Sequence, residues 1–132
     1  MTIDDDMLIF ELETAQDFST LEPIGGVDGL DHLTRRVFGS GWSFADQGDL
    51  REATCGSIDA ALKIAERLFP DWSKTVLWNG CQGWLCGLTD DRDDGRSMRS
   101  YDSHAATGGL SMLVAILKAV IDTDEREKAS AA

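Results

Sequence analysis

Apolar residues recur along this chain with two periods. Helical spacing joins Leu8, Leu12 and Ala15, then Leu30, Leu33 and Phe38 with Val37 adjoining. It returns in Ile58, Ala61, Leu62, Ala65, Leu68 and Phe69, and again in Leu110, Leu113, Val114, Leu117, Val120 and Ile121. The spacing predicts helices over Asp4–Ala15, from near Asp28 to before Gly39, over 58–69 and over 108–122. Polar punctuation agrees. Asp5 and Asp6 suit the positive end of the first helix dipole, and Gly39-Ser-Gly41 stops the second helix. Ser57 is an N-cap with Asp59 in the first turn behind it. Pro70 ends that helix, Trp72 folds back over its end, and Thr107 caps the last helix.

Between those two helices the pattern shortens. Thr75–Trp78 and Gln82–Leu88 read as strands, and Asn79-Gly80 between them is a strong hairpin signal. Two registers are open: a two-residue turn sets Leu77 opposite Gln82, and a four-residue loop sets it opposite Trp84. A third strand, about Ser97–Tyr101, follows a polar turn at 89–96. Residues 17–26 are loop by their Pro and Gly content. Residues 41–56 are irregular, with Trp42 and Phe44 pinning the loop to the body, and residues 123–132 fray or stay disordered. The architecture expected is a single α+β domain over 1–122. A small antiparallel sheet of about three strands packs with helices, framed by those at 58–69 and 108–122, and 1–56 forms a helical and irregular acidic extension. No repeat and no second domain is visible.

At 132 residues the chain is long enough to bury a core without staples, and 42% apolar with 27% charged residues is the balance of a soluble globular protein. Its longest apolar stretch, Leu110 to Val120, is broken by Ser111 and Lys118 and falls short of the roughly 20 residues that span a bilayer. The opening residues lack the basic and apolar regions of a secretory signal, so no membrane is implied and a cytoplasmic location is expected. Cys55, Cys81 and Cys86 cannot all pair within one chain, which favours reduced thiols acting as small buried hydrophobes.

Charge changes the picture more. The net charge is −12, and residues 1–34 carry Asp4, Asp5, Asp6, Glu11, Glu13, Asp17, Glu22, Asp28 and Asp31 with no Lys or Arg, supplying −9 of it. Such a surface repels a phosphate backbone and disfavours direct nucleic-acid binding. It attracts basic protein surfaces, including those that hold nucleic acid. A solvated face kept for solubility is the competing reading.

Part of the chain resembles a known group. Ser57-Ile-Asp-Ala-Ala-Leu62, Pro70-Asp-Trp72, and Ala105-Ala-Thr107 ahead of Leu110-Ser-Met-Leu-Val-Ala-Ile-Leu117 resemble small proteins of tailed phages and prophages, of the phage α–β–α ("ABA") sandwich type. Met7-Leu-Ile-Phe-Glu-Leu-Glu-Thr-Ala15 is similar to the helix that often opens them. The likeness spans most of the chain and is strong at 57–72 and 105–117. Gly108 replaces the proline usual after the capping threonine, and Gly108 and Gly109 each weaken that helix start by about 1 kcal/mol relative to alanine. The resemblance implies fold and ancestry, with no enzymatic activity and no catalytic residues to carry over.

Specific chemistry is scarce. Cys81, Cys86 and His104 have the wrong spacing for a zinc half-site. A calcium loop begun at Asp90 puts Arg92 at the third position and Tyr101 at the twelfth, where a bidentate glutamate belongs. Gly25-Gly-Val-Asp-Gly29 lacks a GK[ST] ending, and Ser40 has neither a nucleophile elbow nor an obvious base. His32 and His104 are lone imidazoles. Tyr101, Asp102, Ser103 and His104 are the one mixed polar cluster, a candidate for a small anionic ligand at the amides of 108–110. Local turn and cap hydrogen bonding is its competing reading.

Three classes of function follow. The leading one is a phage or prophage accessory protein acting by binding, an acidic inhibitor or modulator of a host protein with a basic surface. Its partner-binding candidates are Asp4, Asp5, Asp6, Glu11, Glu13, Trp78 and Trp84, since a tryptophan left on an open sheet face anchors a partner or a second subunit of a homodimer. A tryptophan-lined small-molecule binder and a structural component of a phage particle are the alternatives. No enzyme, cofactor or metal is implied.

Overall fold

Ser57 starts its helix as its position predicts: the hydroxyl accepts the Ala60 N–H at 3.1 Å. Thr107 does the same for Leu110, also at 3.1 Å. Around these caps the computed structural model describes residues 3–14, 29–39, 41–78, 83–90 and 99–131. Among them are helices α1 (Ile3–Thr14), α2 (Gly29–Phe38), α3 (Phe44–Thr54), α4 (Ile58–Leu68) and α5 (Gly108–Ala131). The strands are β1 (Ser73–Trp78), β2 (Trp84–Asp90) and β3 (Arg99–Ala105). The fold is α+β, as expected. The expected loop at 17–26 and the Asn79-Gly80 turn lie outside the described residues.

The sheet is antiparallel in the order β1-β2-β3. Leu77 pairs with Leu85 and Trp78 with Trp84, so neither expected register is correct. The connection takes up residues 79–83, and β2 begins two residues later than expected. Gly83 permits this turn-out: its φ is +86°, and a Cβ there would lie 2.6 Å from the Ala105 carbonyl oxygen. β3 runs on past the expected end at Tyr101, because Tyr101, Ser103 and Ala105 alternate inward and carry the pairing on to Ala105.

α5 is the centre of the molecule. Leu110, Leu113, Val114, Leu117 and Ile121 are buried, and so are Met112, Ala115, Ile116 and Ala119 between them. One side of the helix meets β2 and β3, and α1 and α4 pack on the rest. The 58–69 helix therefore does not frame the sheet from a second side. α4 lies against α3 and α5, while Ser73, Thr75, Leu77, Ser100, Asp102 and His104, which point away from α5, are all exposed. The described helices cover one face of the sheet, in place of the two faces of an α–β–α sandwich.

Three further expectations change. Residues 44–54, expected to be irregular, form α3, started by a capping box: Ser43 Oγ accepts the Asp46 N–H at 3.3 Å and Asp46 Oδ2 accepts the Ser43 N–H at 2.9 Å. Phe44 does not pin a loop to the body: it is 86% exposed, and the half-buried Trp42 meets it edge-on at 6.0 Å. Residues 123–131, expected to fray, continue α5. Arg126 pairs with Asp122 one turn back at 2.9 Å, and Asp124 is held by Arg36 at 2.6 Å. Trp72 behaves as expected, 4.4 Å from Phe69 and nearly buried. No helix of the described residues is long and apolar enough to cross a membrane.

Candidate interaction surfaces

Strand alternation divides the candidate ligand cluster. Successive residues of β3 point to opposite faces, so Tyr101 and Ser103 turn toward α5 while Asp102 and His104 stand on the open face. Tyr101 donates its hydroxyl to Asp122 and stacks on Trp72 at 5.9 Å. Burial and then that bond push its hydroxyl up to about 12, and the same bond holds the Asp122 carboxyl below its ordinary range. Ser103 Oγ donates to the Ser111 carbonyl at 2.5 Å, and Ser111 Oγ to the Trp84 carbonyl at 3.1 Å. These hydroxyls fasten α5 to the sheet. The Leu110 amide, one of the three proposed to receive an anion, is taken by Thr107. The four residues do not form one site.

The acidic candidates also separate. Asp5 faces inward at 7% side-chain exposure, where Arg36 Nε donates to it at 2.7 Å. Its position one helical turn before Leu8 and two before Leu12 puts it on the buried side of α1. Asp6 is exposed, Glu11 and Glu13 are half-buried, and the Asp4 side chain lies outside the described residues. What α1 shows to solvent is a mixed stripe: Asp6, Met7, Phe10, Glu13 and Thr14 follow one another at helical spacing. Phe10 is 66% exposed and Met7 43%. Phe10 sits at its centre, with Asp6 four residues before and Glu13 three residues after. Met7 and Phe10 were missed as candidates; their offset from the Leu8/Leu12 stripe was the available signal.

A second exposed patch closes the end of the hairpin. Trp78 and Trp84 are paired residues on the α5-facing side, with ring centroids 5.3 Å apart. Trp78 is 60% exposed and Trp84 half-buried against the start of α5, so neither is fully core. Leu77, also missed, is 56% exposed on the opposite face beside Leu85.

A cleft of about 330 Å³ lies beside Trp72, lined by Leu68, Phe69, Pro70, Asp71, Arg99 and Thr123. Arg99 stands 5.3 Å from the Trp72 ring and 3.1 Å from Asp90. Asp90, the start of the rejected calcium loop, is thus a partner of Arg99, and residues 91–95 lie outside the described residues. Cys86 is buried, with its thiol pushed up by that burial, and Cys55 is exposed. No cluster of three or more His, Cys, Asp or Glu suited to a metal occurs among the described residues. In comparisons with known proteins, no family model, no curated protein and no solved structure matches the chain.

Proposed function

We propose that this protein acts by binding: an accessory protein of a phage or prophage, working in the bacterial cytoplasm as an acidic modulator of a host protein with a basic surface. It performs no catalysis and makes no direct contact with nucleic acid. The observation that carries this reading is the outward stripe of α1, where Phe10 stands exposed between Asp6 and Glu13. An exposed phenylalanine flanked by carboxylates fits an apolar pocket rimmed by Lys and Arg, the arrangement of a helix docked in a groove. The phage origin rests on the likeness of 57–72 and 105–117, and the preference for a basic partner on the net charge of −12.

Affinity purification from bacterial lysate with the wild type and Phe10→Ala in parallel tests it. A host protein retained at about 50 mM salt and released at about 500 mM is expected on the wild type, and it should be absent from Phe10→Ala. Identical recoveries on the two, or none at low salt, would count against the reading.

The cleft beside Trp72 and Arg99 supports a second reading, a small-molecule binder for a flat anionic ligand. Quenching of tryptophan emission by nucleotides, abolished in Arg99→Ala, is its signature.

A further inference from the structure

We propose that two copies of the chain join through the β1 edge, extending the sheet across a two-fold axis into six antiparallel strands. This inference is independent of the α1 stripe and goes beyond it.

The two edges of the sheet are treated differently. β3 has α1 packed near it and carries Arg99, Asp102 and His104. Among the described residues, β1 lacks the usual devices that stop one strand edge from pairing with another. It has no proline, its pairing with β2 runs unbroken from Ser73 to Trp78, and its single charge is withdrawn. That charge is Lys74, whose ammonium donates to the Trp72 carbonyl at 2.9 Å and pairs with Glu66 at 2.9 Å.

The exposed side chains identify what covers this edge. Leu77 projects from the open face and Trp78 from the α5-facing side. A ligand resting on the open face reaches only Leu77. A strand added in the plane of the sheet touches both.

Electrostatics selects a second copy as that strand. The chain carries 24 carboxylates, yet the run from Trp72 through Thr89 contains none. Two molecules of charge −12 repel over most of their surfaces, whereas this hairpin contributes no carboxylate of its own and the Glu66 beside β1 is paired with Lys74. Symmetry also agrees. Residues directly opposite in an antiparallel pair share a face, so the dyad falls on a residue. With the axis at Val76, Thr75 of one copy lies beside Leu77 of the other, and Lys74 beside Trp78.

The test is the mass of the full-length protein in solution, by light scattering over a dilution series. Twice the 14.4 kDa chain mass is expected at about 50 µM. Thr75→Lys and Leu77→Glu, each placing like charges near the dyad, should raise the dissociation constant at least about tenfold. Thr89→Lys, on the same open face but on the central strand, should leave it unchanged. Circular dichroism confirms that each variant is folded. A monomeric wild type, or a dimer insensitive to both β1 variants, would overturn the proposal. So would a dimer lost in Phe10→Ala.

Discussion

Arg36 holds Asp5 through Nε at 2.7 Å while its Nη1 reaches Asp124 at 2.6 Å, so one guanidinium ties α2 to both α1 and α5. A carboxylate that looked available to a partner is instead a pin of the fold. Removing the cation leaves Asp5 inside the protein without the Arg36 guanidinium. Arg36→Met is expected to lower the unfolding free energy by about 2–3 kcal/mol. Asp6→Asn, one residue along on the exposed side, should change it by less than about 0.5 kcal/mol. Urea unfolding followed by circular dichroism measures both, and equal midpoints would refute the distinction.

Tyr101 is the only tyrosine of the chain, so phenolate absorbance reports it alone. Its hydroxyl is raised to about 12, by burial first and then by donation to Asp122. A folded value above the unfolded value of about 10 means stability fully present below about pH 10 and lost as pH rises through 12. The depressed Asp122 carboxyl acts in the other direction: its contribution is present above the ordinary carboxylate range and lost in acid. Alkaline titration of the folded protein should show the high midpoint, and Asp122→Asn should lower it. A wild-type midpoint near 10 would contradict the burial.

Glycine at the start of α5 looked like a weakness to be relieved by alanine. The packing reverses the sign. A Cβ at Gly109 would lie 2.2 Å from the Ala53 carbonyl oxygen and 2.9 Å from the Gly56 carbonyl carbon. Gly109→Ala should therefore cost about 2 kcal/mol despite the better helix former. Gly48 in α3 has open space around it, and Gly48→Ala should gain about 0.5–1 kcal/mol. Thermal unfolding of the two variants compares them directly.

The thiols differ in reach. Cys55 is exposed, while Cys86 is buried and within 3.7 Å of the Gly108 carbonyl oxygen. In a Cys81→Ser background a thiol reagent should modify Cys55 at once and Cys86 only on unfolding. Modification of both at similar rates in the folded protein would contradict the packing of β2 on α5.

Local chemistry was the most legible part of the sequence. Ser57 and Thr107 cap the helices they were expected to cap, because a cap is settled within three residues. Ser43 and Asp46 are a signal of the same kind. They were overlooked because α3 has little apolar periodicity, with Leu50 and Ala53 as its buried apolar residues and Gly48 between its ends. Register was not legible, since it depends on how 79–83 connects the strands and on the approach of Ala105 to Gly83. The Tyr101–His104 cluster misled because its inward-facing members are polar, so alternation did not show which pair would be covered. Phe10 was passed over for the opposite reason: the Leu8/Leu12 stripe leaves it on the outer side of α1, and an apolar residue there was not weighed as a contact.

The central position of α5 has a consequence for synthesis on the ribosome. α1, α4 and the sheet all close onto this helix, yet among the described elements it is the last to be translated. Leu8, Leu12, Ile64 and Leu88 wait for their cover until more than a hundred residues have emerged. Contacts of such wide sequence separation form late and leave apolar surface open to aggregation in the interval. Nine carboxylates ahead of the first basic residue act during that interval. Repulsion between such like-charged segments opposes contact between unfinished chains, a physical effect that needs no folded surface.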